Sequence, residues 1–409
     1  MAETTEVTPQ RKRDIRDSNG FILSALAGGH VLFHWLIQGF VVLLPEIQAT
    51  FHLSSVGVGA LVTTRELASG LVSLPGGFII DPLRRYWGLI LAVCIGGISL
   101  GALLLGLSPV YPLLLAGIAI IAISHSIWHL PASASLSYHV PHRRGMALAF
   151  HGVGGSVGDV AGPLVTGALL AVLGWRGILS AYAVAPLFLG FLAIWAFKNI
   201  GATREGDATT ADMATRIEMT RRLVKNRVLW GIAFVGGLRS MALVALVTML
   251  PLYLAHDLAL SPFSRGFHIG LLIAVGLVAK PLMGNLSDRW GRKTVLVPGL
   301  IWSAAFSLLL IPNGQGVELT VTIALLGLFL YPDQPILTAA ALDTMGKEVA
   351  TTGLGFIAFI RFMMAASSSL IVGGLYEGVS VDAALYYIAG LFGVAAVVFA
   401  SLPLRSSRT

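Results

Sequence analysis

Apolar runs of about twenty residues recur along the whole of this 409-residue chain, each long enough to cross the roughly 30 Å hydrocarbon layer of a bilayer as a helix. Punctuated by Gly, Pro and charged loops, they fall at 20–44, 56–80, 88–108, 111–139, 145–172, 175–197, 228–254, 266–287, 294–311, 316–343, 352–376 and 381–404. Lipid offers no partner to a peptide group, so such runs are stable as helices that satisfy their own backbone. The shorter, alternating segments of a barrel do not match them. Composition agrees: 56% of residues are hydrophobic and 11% charged, whereas soluble domains carry about a quarter charged residues. The expected fold class is an all-α membrane protein, with twelve transmembrane helices in two six-helix bundles.

The long polar stretch from Lys198 to Arg227 separates six runs from six. The expected organisation is a cytoplasmic tail (1–19), a first bundle (20–197), a cytoplasmic linker (198–227), a second bundle (228–404) and a short tail (405–409). The formal charge of +7 is spread over alternate loops, which is a topology signal rather than a nucleic-acid surface. With both termini in the cytoplasm, Arg84, Arg85, Arg143, Arg144, the linker, Arg289, Arg292, Lys293, Lys347, Arg405 and Arg408 all lie inside. Arg176 and Arg265 fall in opposite loops. The apolar run after the Arg-rich N-terminus is too long for a signal-peptide core. Cys94 is the single cysteine, so neither a disulfide framework nor a thiolate metal centre is available. No nucleophile elbow or phosphate-cradling loop is present, which argues against an enzyme, a cofactor and ATP-driven work. The expected partners are a small-molecule substrate, protons and lipid, with the chain acting as a monomer in a bacterial-type inner membrane.

Between two apolar runs stands Gly284-Asn285-Leu286-Ser287-Asp288-Arg289-Trp290-Gly291-Arg292-Lys293. This stretch resembles the loop signature of the major facilitator superfamily of transporters. The resemblance implies a charged cytoplasmic latch in which Gly284, Asp288, Arg289, Gly291, Arg292 and Lys293 serve gating. A first-half copy keeps Gly77, Asp81 and Arg85, but has Pro82 and Arg84 where the family usually has a basic residue and Gly. The repeat fits parallel halves. In the fifth run, Gly158-Asp159-Val160-Ala161-Gly162-Pro163 with Gly167 resembles the Gly-Pro motif of export-type antiporters. Small residues there permit close helix approach and Pro163 removes a backbone donor; ordinary helix packing is an equally good reading. Gly29-His30 with Gln38, Trp128-His129 before Pro131, and Gly152-Val153-Gly154-Gly155 leading to Gly162-Pro163-Leu164 resemble the fosmidomycin-resistance branch. That branch implies proton-driven drug export.

Ionisable side chains at membrane depth cost about 2.5–3.5 kcal/mol each on insertion scales and need partners or a wet cavity. Arg65, Glu66, Asp159, Arg239, Lys280, Asp333 and Arg361 are expected near mid-depth, and mutual neutralisation between helices is the plain reading of any one of them. Arg65 and Glu66 diverge by about 100° on a helix, so they are expected to face different partners. His30, His34 and Gln38 recur every four residues, as do His125 and His129, and His151 adds a further polar group. In the superfamily architecture the first and fourth spans both line the central cavity, so the stripes meet across it. A buried His is most often simply hydrogen-bonded. The alternatives are proton coupling or substrate binding, and ligation of a divalent metal by two i, i+4 His pairs with Asp159. Proton and substrate roles are preferred over metal because Arg239, Lys280 and Arg361 would repel a cation.

The expected function is therefore export of a small anionic or amphipathic compound in exchange for protons. His30, His34, Trp35, Gln38, His125, Trp128, His129, Arg239, Lys280, Gln334 and Arg361 form the substrate set. Asp159, Asp333, Glu66 and His151 form the proton set. An organic-anion importer or exchanger, and an exporter of a divalent metal or metal chelate, are the alternatives.

Overall fold

The computed structural model describes residues 14–80, 82–201, 218, 221, 225–345 and 350–404. Among them the chain forms α1 (Asn19–Val42), α2 (Leu44–Phe51), α3 (Ser55–Ile79), α4 (Trp87–Leu107), α5 (Tyr111–His139), α6 (Arg144–Leu169) and α7 (Trp175–Ala196). Then follow α8 (Arg227–Leu252), α9 (Pro262–Trp290), α10 (Arg292–Leu309), α11 (Gly316–Leu330), α12 (Asp333–Met345), α13 (Ala350–Gly378) and α14 (Val381–Ser401), with no strand among the described residues. Polar loop residues start many of these helices. Ser18, Ser54, Asn226, Ser261 and Ser380 each accept a hydrogen bond from an otherwise unpaired N–H of the first turn.

Two of the expected spans are interrupted. The first continues beyond Val42 as α2, with Pro45 in its first turn. The tenth breaks at Tyr331 and Pro332, where the ring disfavours helix in the preceding residue and supplies no N–H. Among the described residues nine helical stretches are long and apolar enough to cross a membrane on their own. The helices α3, α6 and α10 fall short, for a common reason. Thr63, Thr64, Arg65 and Glu66 dilute α3, His151, Asp159 and many glycines dilute α6, and α10 is short and begins Arg292-Lys293. Each lies against a more apolar neighbour, α3 on α13, α6 on α1 and α10 on α14.

The helices pack in a pattern that repeats. Helix α1 lies along α6, α4 along α7 and α3 along α5; in the second half α8 lies along α13, α10 along α14 and α9 along α11. One hydrophobic core is built almost wholly from 22–200, and a second from 229–399. The halves meet through α3 against α13 and α6 against α9. Outward-facing apolar side chains such as Val93, Phe188, Phe191, Val278 and Val397 provide the lipid surface.

Small residues set the closest approaches. A Cβ at Gly158 would lie 2.5 Å from the Val31 carbonyl and one at Gly162 would lie 2.6 Å from that of Trp35, so α6 presses backbone to backbone on α1. A Cβ at Gly167 would meet the Pro262 carbonyl at 2.7 Å, which brings the far end of α6 against α9 of the other half. The Gly-Pro stretch thus packs α6 on both partners at once: beyond Pro163, Thr166 still meets Gly39 of α1, and before it, Val160 already meets Gly270 of α9.

Candidate functional site

Close packing of α6 on α1 brings Asp159 to the His stripe. The His34 Nδ1 lies 2.7 Å from Asp159 Oδ1, and Gln38 Nε2 donates to the same oxygen at 3.2 Å. From α5, His125 Nε2 lies 3.4 Å from His34 Nε2, and His129 Nε2 lies 3.0 Å from His125 Nε2. His30 completes the group. Its Nδ1 lies 2.8 Å from the His151 carbonyl oxygen, and its ring stacks on His151 at 4.1 Å. One ring nitrogen from each of His30, His34, His125 and His129 lies within 4.8 Å of the other three. The i, i+4 spacing on two helices therefore meets in one cluster, as expected from the sequence.

The second half faces it with a different chemistry. Arg239 on α8 is 2% exposed and donates through Nε to Asp333 Oδ2 at 2.6 Å and through Nη2 to the Leu330 carbonyl at 2.7 Å. The helix break explains this pair. The break at Pro332 ends α11 at Leu330, which leaves that last carbonyl without a partner in a next turn, and Asp333 opens α12, where a carboxylate meets the positive end of the helix. Arg361 on α13 has a Ser240 Oγ contact at 3.0 Å and no carboxylate within ion-pair distance among the described residues.

Between these walls lies a cavity of about 260 Å³, lined by His34, Gln38, Arg65, Glu66 and His125 from the first half and by Arg239, Ser240, Gln334 and Arg361 from the second. A further space of about 220 Å³ shares Arg239, Gln334 and Arg361 with it and runs past Gly236, Thr338 and Leu354 toward the end of the bundle that carries the chain termini. At the opposite end the halves are tied together. Arg265 donates to Glu46, His256 Nε2 lies 3.0 Å from Gln48 Oε1, and the Ser55 N–H donates to Glu377 at 2.6 Å.

Several expected site residues are placed otherwise. Trp128 is fully buried, with its ring against Phe33, Phe197 and the Gly29 backbone, so it belongs to the first core and not to the substrate wall. Trp35 turns toward α7, edge-on to Tyr182. Lys280 sits 5.7 Å from the Tyr331 ring centroid rather than among the cavity-lining groups. His151 is buried behind His30. Arg65 and Glu66 do not diverge toward separate partners: they pair with each other at 2.7 Å, because long side chains bend further than their Cβ directions suggest. Of the three cations expected to attract an anion, Arg239 is neutralised, Lys280 is set aside and Arg361 faces the cavity.

The latch residues behave as a unit within the second half. Arg292 bonds Asp288, the Ser287 Oγ at 2.8 Å and Asp343 of α12 at 3.1 Å, while Lys293 donates to the Ala400 carbonyl at 2.8 Å. Gly291 ends α9 at φ 95°, a backbone region that favours glycine. Arg289 is exposed and Gly284 meets no neighbour within 4 Å of a built Cβ. In the first half, Arg85 lies over the Tyr86 ring and Arg84 over that of Tyr138; Asp81 lies outside the described residues. Sequence reasoning missed Glu46, Asp343 and Ser240. An acid inside the apolar run Leu43-Leu44-Pro45-Glu46 was the signal for the first, and a lone serine on a Gly-rich helix gave none for the last.

A helical repeat of six spans, a cavity at the junction of two bundles and a charged loop cluster are the architecture of a two-bundle membrane transporter. The profile of the Major Facilitator Superfamily matches residues 26–279 and 232–409, and the chain belongs to that family. The uncharacterized MFS-type transporter YfnC of Bacillus subtilis (strain 168) is 24% identical over 88% of this chain and 88% of its own. The fosmidomycin resistance protein of Escherichia coli (strain K12) is 23% identical over 71% of this chain and 70% of its own. In fold, a bacterial homologue of the human lysosomal transporter Spinster, in an inward-facing and unoccupied conformation, superposes with a TM-score of 0.72 at 15% identity, covering 93% of this chain and 95% of that one. The protein is a multi-pass membrane transporter of this family.

Proposed function

We propose that this transporter exports a small anionic or amphipathic compound in exchange for protons by alternating access, with both termini in the cytoplasm. The carrying observation is the cavity shared by both halves, with a second space beside it on the side of the termini and the halves tied together at the other end by Glu46–Arg265, Gln48–His256 and Ser55–Glu377. On this reading the described state is inward-facing and ready to load. Arg361 supplies the charge for an anionic group, and Gln38 and Gln334 supply hydrogen bonds that fix its orientation. The drug-resistance name of the Escherichia coli relative and the Gly-Pro stretch support export.

Proton coupling centres on Glu66 in the cavity wall, on Asp333 buried behind the cavity-lining Arg239, and on Asp159 behind His34. Asp333 Oδ1 is buried without a hydrogen-bond partner, so it is a place for a proton to land. One observation favours a second reading. A proton on Asp333 releases Arg239 for an anion, so this pair taken alone makes proton and anion travel together, as in an organic-anion importer. Proteoliposomes loaded with a pH-sensitive dye separate the two. After addition of compounds that thermally stabilise the protein, antiport moves protons against substrate flux and co-transport moves them with it. Substrate flux indifferent to an imposed pH gradient overturns both.

A further inference from the structure

We propose that His30, His34, His125 and His129 form a binding site for a divalent transition-metal ion on the wall of the transport cavity. Four observations support it. First, one ring nitrogen from each of the four lies within 4.8 Å of the rest, with neighbouring Nε2 atoms at 3.0 and 3.4 Å. A tetrahedral ion with bonds of about 2.0–2.1 Å to nitrogen sets its ligands roughly 3.3–3.4 Å apart. Small side-chain rotations close the remaining distance.

Second, the outer nitrogens are already held. The Nδ1 of His34 faces the Asp159 carboxylate at 2.7 Å and that of His30 faces the His151 carbonyl at 2.8 Å. A carboxylate and a backbone carbonyl on Nδ1 fix the tautomer that leaves Nε2 as a ligand, the usual outer shell of a metal-bound imidazole.

Third, protons alone do not satisfy the cluster. His125 Nε2 lies between the Nε2 atoms of His34 and His129, so as a donor it serves one of them and as an acceptor it needs both protonated. Under either assignment His30 Nε2 has no partner, although His30 is only 6% exposed. An ion at the centre takes all four lone pairs.

Fourth, the electrostatic objection weakens. Arg239 is cancelled by Asp333 and Arg65 by Glu66, Lys280 is not among the cavity-lining groups, Arg361 stands on the opposite wall beside Ser240, and Asp159 places a negative charge directly behind His34. All-imidazole ligation suits Zn²⁺, Ni²⁺ and Co²⁺ better than Mg²⁺ or Ca²⁺, which prefer oxygen. Because His34 and His125 line the cavity while His30 and His129 lie behind them, the ion enters from the cavity itself.

The test is calorimetric titration of tag-free, full-length protein in nanodiscs with ZnCl₂, NiCl₂ and CoCl₂ in turn, together with the visible spectrum of the Co²⁺ form. The expected result is one ion per chain, with the intense d–d bands of a four-coordinate site. The His125→Asn/His129→Asn variant is expected to lose binding, Asp159→Asn to weaken it 10- to 100-fold, and His52→Gln/His142→Gln to retain it. If the paired variant is not monodisperse, His129→Gln alone decides the matter, with at least tenfold weaker binding expected. No binding of any of the three ions, or binding that survives loss of His125 and His129, overturns the proposal. These readouts involve no proton or substrate flux, so this site and the transport reaction proposed above can fail independently.

Discussion

The Arg239–Asp333 pair shows how a single buried residue divides its work between folding and function. Removing one member leaves an uncompensated charge in the core of the second half, which typically costs about 3–5 kcal/mol, whereas replacing both with apolar residues is often close to neutral. Arg239→Leu is therefore expected to lower the thermal unfolding midpoint sharply in detergent, and Arg239→Leu/Asp333→Leu to recover much of that loss. If the pair also carries the coupling, the double variant stays folded yet no longer moves protons with substrate. Arg361 presents the opposite case, because among the described residues no carboxylate holds it in place. Arg361→Gln is expected to weaken an anionic ligand by about 10- to 100-fold, the scale of a hydrogen bond to a charged group, in a binding titration. Stability should change little, and an unchanged affinity would remove Arg361 from the site.

At the scale of helices, the glycines of α6 decide where Asp159 can reach. A Cβ at position 158 would crowd the Val31 carbonyl and the Trp35 amide, the latter at 2.8 Å. Gly158→Val should therefore cost about 1–3 kcal/mol by overpacking and draw Asp159 away from His34. A melting curve measures the first effect, and loss of the stabilisation that the proposed site predicts for added Ni²⁺ measures the second. Much at this scale was legible in the sequence. The spans came from apolar run length, and the meeting of His30, His34, His125 and His129 came from four-residue spacing together with the superfamily architecture. What stayed hidden has physical causes. Trp128 shares α5 with the histidines, but helical spacing does not tell a ring that faces its own bundle from one that faces the cavity. The partner of Arg239 lies 94 residues away and is positioned by a proline break in a run that reads as continuous. The Arg65–Glu66 pair escaped because angle around a helix was weighed without side-chain length.

For the molecule as a whole, the described state predicts which end can be locked. Cys94 is buried and is the single cysteine, so Cys94→Ala gives a background without reactive thiols. In it, Glu46→Cys/Arg265→Cys, at positions whose native side chains meet through the length of an arginine, is expected to be bridged by a short bis-methanethiosulfonate reagent and to stop transport until reduced, read by gel mobility and by flux in the same liposomes. Failure to cross-link would mean that the far end is not the closed one at rest. A consequence follows from the path of α6. Asp159, which orients His34, and Gly167, which touches the opposite bundle, are eight residues apart on a single helix, about 12 Å along its axis. A stiff rod with one end at the ligand and the other on the moving partner works as a lever. A tilt imposed by a guest at the histidines would reach the seam between the halves along one helix, without passing through a loop.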